Sequence, residues 1–315
     1  MSGLKGRLVT LIGGSGFFGT HVAQALLERG ARLRVAARNP KEAFSLRPLA
    51  NLGQIQFARC DITNEASLNA VIDGADAVVN LVGAFSGNLD AIMGRGAGHV
   101  ARIAAEKGCT AMVHVSAIGA DESSDIPYQK YKGVGEREVL EAFPGATILR
   151  PSILFGSDDN FLNMFGGLIS ALPVLPVFAP DAKLQPLFVD DAAEAVVAAL
   201  EDPAKHGGKT YEIAGPEVVT MLEINERIAA AQNRNRHFIA LPDMVGSAMA
   251  AVSGFLPGAP INSDQYAMLA QGNVASGDIP GLSRLGVQPR PMSLFLDRWM
   301  VRYRKHGRFT DDRTA

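Results

Sequence analysis

Residues 7–19 of the chain, RLVTLI followed by GGSGFFG, decide the fold. Residues 7–12 form a short, largely apolar run rich in β-branched side chains, which is typical of a buried strand. Seven residues with four glycines follow, and residues 18–29 then carry apolar side chains at helical spacing up to Gly30. Glycines spaced G-x-x-G-x-x-G suit a tight turn, a close approach of the backbone to a ligand, and close packing of a helix on a strand.

The same alternation continues to residue 150. Strands are predicted at 7–12, 32–37, 54–58, 76–82, 110–115 and 146–150, and helices at 18–29, 65–73, 88–107 and 128–142. Strands that alternate with helices and read as continuous apolar runs are typical of a parallel sheet covered on both faces. We therefore predict an α/β fold, a doubly wound parallel sheet of the Rossmann type, with a smaller C-terminal substrate lobe.

The glycine-rich turn is also a candidate binding site. A helix that starts directly after such a turn presents unpaired N–H groups and a partial positive charge to an anion. Between a strand and a helix of a βαβ unit this pattern indicates a dinucleotide site, and a turn without a ligand is the alternative. No Gly-Lys-Ser/Thr follows, which excludes a nucleoside triphosphatase P-loop. The predicted cofactor-binding residues here are Gly13, Gly14, Ser15, Gly16, Phe17, Phe18 and Gly19.

The end of the second predicted strand bears on which nicotinamide nucleotide is bound. An acidic residue there would bind the ribose 2′-hydroxyl of NAD(H), but the strand ends Ala37-Arg38-Asn39. A guanidinium at Arg38 suits the 2′-phosphate of NADP(H), so NADP(H) is favoured over NAD(H); a solvated turn arginine is the alternative. Asp61 and Ile62 follow the third strand and are expected at the adenine edge, unless Asp61 is an N-cap or turn residue.

A tyrosine and a lysine form the candidate catalytic pair. Tyr128 and Lys132 are four residues apart in a predicted helix, so they share one of its faces. A tyrosine hydroxyl can pass a proton to a carbonyl oxygen, and a neighbouring ammonium is expected to lower the pKa of the phenol. The spacing is common in proteins, and an exposed start of an amphipathic helix is the alternative. Its position after the glycine-rich turn favours the catalytic interpretation.

The order of these motifs resembles the short-chain dehydrogenase/reductase family in its extended or atypical form. The resemblance rests on residues 13–19, Asn80-Leu81-Val82-Gly83, Val115-Ser116-Ala117, Tyr128 with Lys132, and Leu149-Arg150-Pro151-Ser152. It implies a carbonyl-binding serine at Ser116, although Ile118 stands where a hydroxyl is expected and Met93 where many extended members have asparagine. It also implies cofactor contacts from Leu81, Val82, Gly83, Ser116, Lys132, Pro151 and Ile153.

Longer phrases are similar to the dehydrogenase-like accessory subunits of respiratory complex I and their bacterial relatives. Among them are VNLVGAF (79–85), VHVSAIGAD (113–121) and residues 285–309 near the C-terminus. The mitochondrial members bind NADPH tightly and are generally taken to be structural. The resemblance therefore leaves two functions open: an oxidoreductase acting on a carbonyl or hydroxyl of an apolar small molecule, or a nucleotide-holding structural or assembly protein of a membrane respiratory complex. An NADP(H) redox sensor is a third possibility.

Composition excludes other classes of function. Thirty basic and 32 acidic residues give a net charge of −2, which argues against nucleic-acid binding. Two cysteines make no disulfide framework and six histidines lack metal-ligand spacing, so we expect no metal site and a reducing compartment. Without a signal peptide or a run of 18 apolar residues, we expect a cytoplasmic protein, either free or peripheral on the inner face of the cytoplasmic membrane.

The C-terminal half predicts the second lobe and its partners. The apolar segments 161–178 and 244–256 suit ordinary core packing, a pocket for an apolar or quinone-like substrate, or a membrane or partner surface. The aromatic and cationic segment 298–305 suits an anionic membrane, an acidic partner such as a respiratory complex, or a solvated helix. The expected division is 1–155 as the nucleotide-binding domain, 184–215 returning to it, and 156–183 with 216–315 as the smaller lobe.

Overall fold

The computed structural model of the chain describes residues 3–241 and 263–309. The apolar segment 244–256 lies outside these residues. The chain divides into two compact units, which differ from the expected division in the placement of 152–155, 184–188, 214–215 and 275–288. The first contains residues 3–151, 189–213 and 275–288, and the second contains residues 152–188, 214–241, 263–274 and 289–309.

The described elements follow the predicted alternation. The strands are β1 (Leu8–Ile12), β2 (Arg32–Ala37), β3 (Ile55–Arg59), β4 (Ala77–Asn80), β5 (Ala111–Val115), β6 (Thr147–Pro151), β7 (Leu154–Phe155), β8 (Val174–Val177), β9 (Lys183–Leu184), β10 (Leu187–Phe188), β11 (Thr210–Ile213), β12 (Val219–Thr220) and β13 (His237–Ala240). The α-helices are α1 (Phe17–Glu28), α2 (Glu65–Ile72), α3 (Arg95–Glu106), α4 (Pro127–Ala142), α5 (Phe161–Ala171), α6 (Val189–Glu201), α7 (Pro203–His206), α8 (Met221–Ala231), α9 (Ser263–Gln271) and α10 (Ser293–Met300). A π-helical turn (Asp90–Gly94) precedes α3, and 3₁₀ helices occupy Pro40–Leu49, Leu282–Leu285, Val301–Tyr303 and Gly307–Phe309.

The first unit is built on a seven-stranded sheet in the order β11-β6-β5-β4-β1-β2-β3. Every neighbouring pair is parallel, so the predicted doubly wound α/β fold is confirmed. From β1 the chain passes to β2 on one side and later to β4 on the other. The point where the order reverses therefore lies between β1 and β4, and ligands of such sheets bind at the carboxyl ends of the strands there.

One face of this sheet changes from apolar to polar along its strands. Ile12, Val78, Met112 and Ile148 belong to the buried apolar cluster that α2, α3 and α4 cover. Because side chains two positions apart share a face, Asn80, His114 and Arg150 continue the same face at the carboxyl ends of β4, β5 and β6. Polar groups thus collect where the topology predicts a ligand.

The second unit contains three two-stranded sheets, β7 with β10, β8 with β13 and β9 with β12. Helices α5 and α10 both pack against α8. A capping box begins α8: the Thr220 N–H donates to the Glu223 carboxylate at 2.7 Å, and the Glu223 N–H donates to the Thr220 hydroxyl at 3.1 Å. No helix in the described parts of the chain is long and apolar enough to cross a membrane.

The aromatic residues of the C-terminal segment pack within the second unit. The Trp299 ring stacks on Phe295 with their centroids 4.8 Å apart, and Phe295 stacks on Phe188 at 4.2 Å. Arg304 donates to the backbone carbonyl of Ala231 at 2.9 Å, which closes the carboxyl end of α8. Intramolecular packing of Trp299 is an outcome that neither the membrane-surface nor the solvated-helix interpretation predicted.

Candidate functional site

The glycines of the turn between β1 and α1 serve different purposes. Gly13 has φ +82°, a left-handed conformation that L side chains rarely adopt, and its N–H donates to the Ala36 carbonyl at 2.8 Å. A Cβ on Gly19 would lie 2.7 Å from the Cα of Gly14, so glycine there lets the helix approach the turn. Gly13 shapes the turn and Gly19 permits the packing.

Gly16 is required by neither the turn nor the packing. It caps α1 with φ −74° and ψ 170°, which any residue adopts. A Cβ added there would meet no protein atom nearer than 3.6 Å, the carbonyl oxygen of Gly13. Since the chain leaves this space open in front of the helix N-terminus, the position fits the close approach of an anionic ligand.

A cleft of about 930 Å³ extends from this turn across the carboxyl ends of β2, β3 and β4. Nine predicted cofactor residues line it: Gly13, Ser15, Gly16, Arg38, Asp61, Ile62, Leu81, Val82 and Gly83. Eleven further residues, which were not predicted, also line the cleft: Ile12, Ala36, Ala37, Asn39, Glu42, Cys60, Thr63, Ala84, Phe85, Ser86 and Ile92. Most of these eleven residues directly precede or follow a predicted cofactor residue. Their positions at the carboxyl ends of the predicted strands could therefore have indicated that they line the cleft.

Arg38 and Asp61 lie together at the β2 and β3 side of the cleft. Asp61 accepts hydrogen bonds from the Thr63 N–H at 3.0 Å and the Thr63 hydroxyl at 2.8 Å. These bonds, and to a smaller extent the Arg38 guanidinium, lower the pKa of Asp61. Asp61 is therefore a turn aspartate that also faces the cleft, while Asn64 is the N-cap of α2.

Lys132 lies buried on α4, only 3% exposed, beside the opposite end of the cleft. Its ammonium donates to the carbonyls of Val115 at 2.9 Å and Val82 at 3.2 Å. Burial lowers the pKa of Lys132 to about 8, and the Glu136 carboxylate opposes the shift. Val82 lines the cleft and a Cβ on Gly83 would lie 3.8 Å from the ammonium, so Lys132 adjoins the cleft through this loop.

Tyr128 shares the Lys132 face of α4, as predicted, with the ammonium 6.0 Å from the centre of its ring. Its ring stacks on Phe85, with centroids 4.6 Å apart and planes inclined by 17°. The predicted lowering of the phenol pKa is wrong, because burial raises the pKa of Tyr128 to about 12. The ammonium is held on two backbone carbonyls and does not offset the burial of the phenol.

Two polar atoms are buried beside Lys132 without a hydrogen-bond partner among the described residues, Ser116 Oγ and His114 Nε2. Ser116 is 3% exposed, and its N–H donates to the Leu149 carbonyl at 2.7 Å. His114 Nδ1 lies 3.1 Å from the Asn80 amide nitrogen, so only one ring nitrogen of this strand histidine is satisfied. Burial, with the nearby charge of Lys132, lowers the pKa of His114 to about 3. Unsatisfied buried groups are costly, and the free Ser116 hydroxyl fits a site that a ligand completes.

Comparison with known proteins identifies the chain. The sequence profile described as the NAD dependent epimerase/dehydratase family matches residues 9–214, which include the glycine-rich turn, Arg38, Tyr128 and Lys132. The chain belongs to this family. It is also 30% identical to NADH dehydrogenase [ubiquinone] 1 alpha subcomplex subunit 9, mitochondrial, of Arabidopsis thaliana, over 97% of this chain and 80% of that protein. A ceramide reductase of Caulobacter vibrioides is 28% identical over 75% of this chain and 74% of its own length.

Solved structures show the same fold. An NADPH-dependent quinone oxidoreductase of Escherichia coli superposes with a TM-score of 0.68 at 18% identity, over 93% of this chain and 98% of that one. Together the matches confirm the resemblance to dehydrogenase-like proteins and to the subunit of complex I.

Several predicted site residues of this epimerase/dehydratase-family member do not line the cleft. Phe17 and Phe18 are the first residues of α1, and Phe17 packs edge-on against His21 at 5.3 Å. Pro151 ends β6, whereas Ile153 belongs to the second unit, where its N–H donates to Asn273 at 2.6 Å. The residues outside the lining are Gly14, Phe17, Phe18, Gly19, Ser116, Tyr128, Lys132, Pro151 and Ile153.

Metal and thiol chemistry find no support in this family member. Within the described ranges no group of three or more His, Cys, Asp or Glu side chains is placed to hold a metal ion. Cys60 and Cys109 are both free and buried, and burial raises the pKa of each thiol. Neither thiol is activated for nucleophilic attack.

Proposed function

We propose that the protein is an NADP(H)-dependent oxidoreductase that reduces a carbonyl of an apolar, quinone-like small molecule. The observation that carries this proposal is the open space at Gly16, which begins a cleft that ends beside Lys132. The ceramide reductase and the quinone oxidoreductase to which the chain is similar support a reduction. The first unit is the nucleotide-binding domain in this proposal, and the second unit is the substrate or partner lobe.

The residues present fit the nucleotide. The turn at 13–16 and the start of α1 would hold the diphosphate, and Arg38 would pair with the 2′-phosphate of the adenosine. Leu81, Val82 and Gly83 line the other end of the cleft, and the Lys132 ammonium beside them would hold the ribose. When bound, NADPH supplies a hydride to the substrate.

The chain's own residues would supply and hold the proton. With its pKa near 12, Tyr128 carries its proton at neutral pH and is a donor to the carbonyl oxygen. Ser116 Oγ, which has no hydrogen-bond partner in the described part of the chain, would donate to the same oxygen and orient it. The Lys132 ammonium, 6.0 Å from the ring centre, stabilises the phenolate that forms. The raised pKa keeps the phenol protonated, as a proton donor in a reduction must be, whereas oxidation would need the phenolate as a base.

Turnover by the purified protein tests the proposal. NADPH-saturated protein is mixed with a panel of quinones and aldehydes, and the near-ultraviolet absorbance of the reduced nucleotide is followed. We expect at least one quinone to oxidise the bound NADPH, at a rate that depends on Tyr128. If NADPH binds but no member of the panel oxidises it above background, the proposed oxidoreductase activity would be contradicted.

A structural role is the second candidate. The similarity to a subunit of an NADH dehydrogenase favours a nucleotide-holding protein of a respiratory complex, cytoplasmic or peripheral on a membrane. This role predicts bound NADPH that stabilises the protein and is never oxidised. An increase in the melting temperature with NADPH, without turnover, would distinguish it from the enzyme.

Arg38 tests the choice of nucleotide. Replacing Arg38 with aspartate removes a charge-assisted hydrogen bond and adds repulsion, so we expect NADPH affinity to fall by at least about tenfold, or about 1.5 kcal/mol. Affinity for NADH should change far less, since NADH lacks the phosphate. Fluorescence titration measures both, with Arg32→Asp, at the other end of β2, as the matched control. Equal losses for the two nucleotides would remove Arg38 from the 2′-phosphate site.

Lys132 predicts a pH dependence. Burial lowers its pKa from 10.5 to about 8, so the ammonium is present below this pH and is lost as the pH rises through it. We expect kcat/KM for NADPH, which reports groups of the free enzyme, to fall above pH about 8. Lys132→Arg keeps its charge over this range and should lack this limb. A wild-type profile that stays flat from about pH 7 to 10 would be inconsistent with a required ammonium.

A further inference from the structure

The aromatic ring of Phe85 is exposed in the cleft, beside the proposed proton donor Tyr128. It is 51% exposed, and it is the only large exposed hydrophobic residue among the described residues that line the cleft. Its neighbours in the loop after β4, Gly83, Ala84 and Ser86, are small and also line the cleft. A large apolar side chain left in water at a cleft is a feature that binding would bury.

The position of the Phe85 ring is set by other residues. One face stacks on Tyr128, with the ring centroids 4.6 Å apart and the planes 17° from parallel. The N–H of Ala84 is directed at Met93 Sδ, 3.4 Å away on the π-helical turn, and the Lys132 ammonium bonds the Val82 carbonyl. These contacts position the loop and orient the Phe85 ring nearly parallel to the Tyr128 ring, which carries the proposed proton donor.

We infer that Phe85 is the substrate-recognition residue of this site, and that it selects planar conjugated carbonyl compounds, quinones above all, by stacking. The inference rests on the proposed function and names its substrate class. A flat, electron-poor quinone ring gains an offset stacking interaction with the Phe85 ring that an aliphatic carbonyl compound lacks. The quinone takes a hydride from NADPH at one carbonyl carbon. The oxygen of that carbonyl takes a proton that Tyr128 passes through one water molecule, because the Phe85 ring lies between the Tyr128 ring and the stacked quinone. Loss of the carbon-bound hydrogen to solvent as a proton, with protonation of the second oxygen, then gives hydroquinone and NADP⁺.

Two other roles of Phe85 make different predictions. If the ring only positions Tyr128, its loss slows every carbonyl substrate equally. If the ring contacts the nicotinamide, its loss weakens NADPH binding. If the ring stacks on the substrate, its loss should lower kcat/KM for planar substrates only and leave NADPH affinity unchanged.

The test compares Phe85→Leu, which keeps apolar bulk without a π face, with Phe85→Trp, which keeps the face. The substrates are 1,4-naphthoquinone and decanal, which have equal numbers of carbon atoms. We expect Phe85→Leu to lower kcat/KM for naphthoquinone between about threefold and tenfold and to leave decanal within about twofold. Phe85→Trp should stay close to wild type for both.

Binding without turnover separates this inference from the proposed function. Calorimetry measures the dissociation constant of naphthoquinone for the NADP⁺ complex of each variant. A larger dissociation constant for naphthoquinone in Phe85→Leu, but not in Phe85→Trp, supports stacking. This holds even if the wild-type protein reduces no substrate, in which case only the proposed reductase activity is rejected. The inference would be overturned if naphthoquinone did not bind to the wild-type protein, or if its dissociation constant were unchanged in Phe85→Leu. It would also be overturned if Phe85→Leu lowered kcat/KM equally for naphthoquinone and decanal, or weakened NADPH binding.

Discussion

Replacing Tyr128 with phenylalanine is expected to lower the rate of carbonyl reduction by about 10²–10⁴-fold, the usual contribution of a positioned proton donor. The substitution removes the hydroxyl alone. The ring remains, together with its stack on Phe85 at 4.6 Å, so the loop after β4 keeps its support. NADPH affinity should therefore be unchanged, and the loss should appear in kcat. Stopped-flow oxidation of bound NADPH by a quinone measures it.

Tyr131 provides the matched control for Tyr128. It lies on the same helix, one residue from Lys132, and projects about 100° away from it around the helix axis. Tyr131→Phe should keep the wild-type rate within about twofold. A Tyr128→Phe variant that retains a rate within about threefold of wild type would show that the proton comes from elsewhere, with Ser116 or water as the remaining sources.

Replacing Gly16 with valine is expected to weaken NADPH binding by at least about 100-fold, or about 2.7 kcal/mol, without unfolding the protein. The backbone at Gly16 suits any residue, and its Cβ would meet nothing nearer than 3.6 Å. The added methyl groups would instead occupy the space that the diphosphate needs. Isothermal titration gives the affinity and thermal denaturation gives the stability.

Gly19 supplies the contrasting variant. A Cβ at Gly19 would lie 2.7 Å from the Cα and 2.8 Å from the carbonyl carbon of Gly14, so Gly19→Ala forces α1 away from the turn. We expect Gly19→Ala to lower the melting temperature together with NADPH affinity, whereas Gly16→Val lowers affinity alone. A Gly16→Val variant that binds NADPH like wild type would place the diphosphate outside this turn.

The local structure could be predicted from the sequence where the backbone conformation or close packing permits only one residue type. The turn at Gly13 and the close packing at Gly19 correspond to two of the three reasons for which glycine was expected, while the third reason, close approach of a ligand at Gly16, stays a prediction. The alternation of strands and helices likewise predicted the sheet, because buried parallel strands must read as apolar runs.

The properties that depend on distant parts of the chain were less predictable. The Tyr128–Lys132 spacing placed both residues on one face, but whether burial or the ammonium dominates the phenol pKa depends on Phe85 and on the carbonyls of Val82 and Val115. Trp299 was expected at a membrane surface, at a partner or in a solvated helix, but tertiary packing stacks its ring on Phe295. Phe85 carried no signal of its own within VNLVGAF, since its exposure and its partner are set by tertiary packing.

Titration of the purified wild-type chain with NADPH is the most direct test of the nucleotide site. Saturable binding at one nucleotide per chain is expected, with a dissociation constant in the micromolar range or below, and with loss of that binding in Gly16→Val. If neither NADPH nor NADH binds at millimolar concentration, the turn after β1 holds no dinucleotide, and both the reductase and the structural role fail.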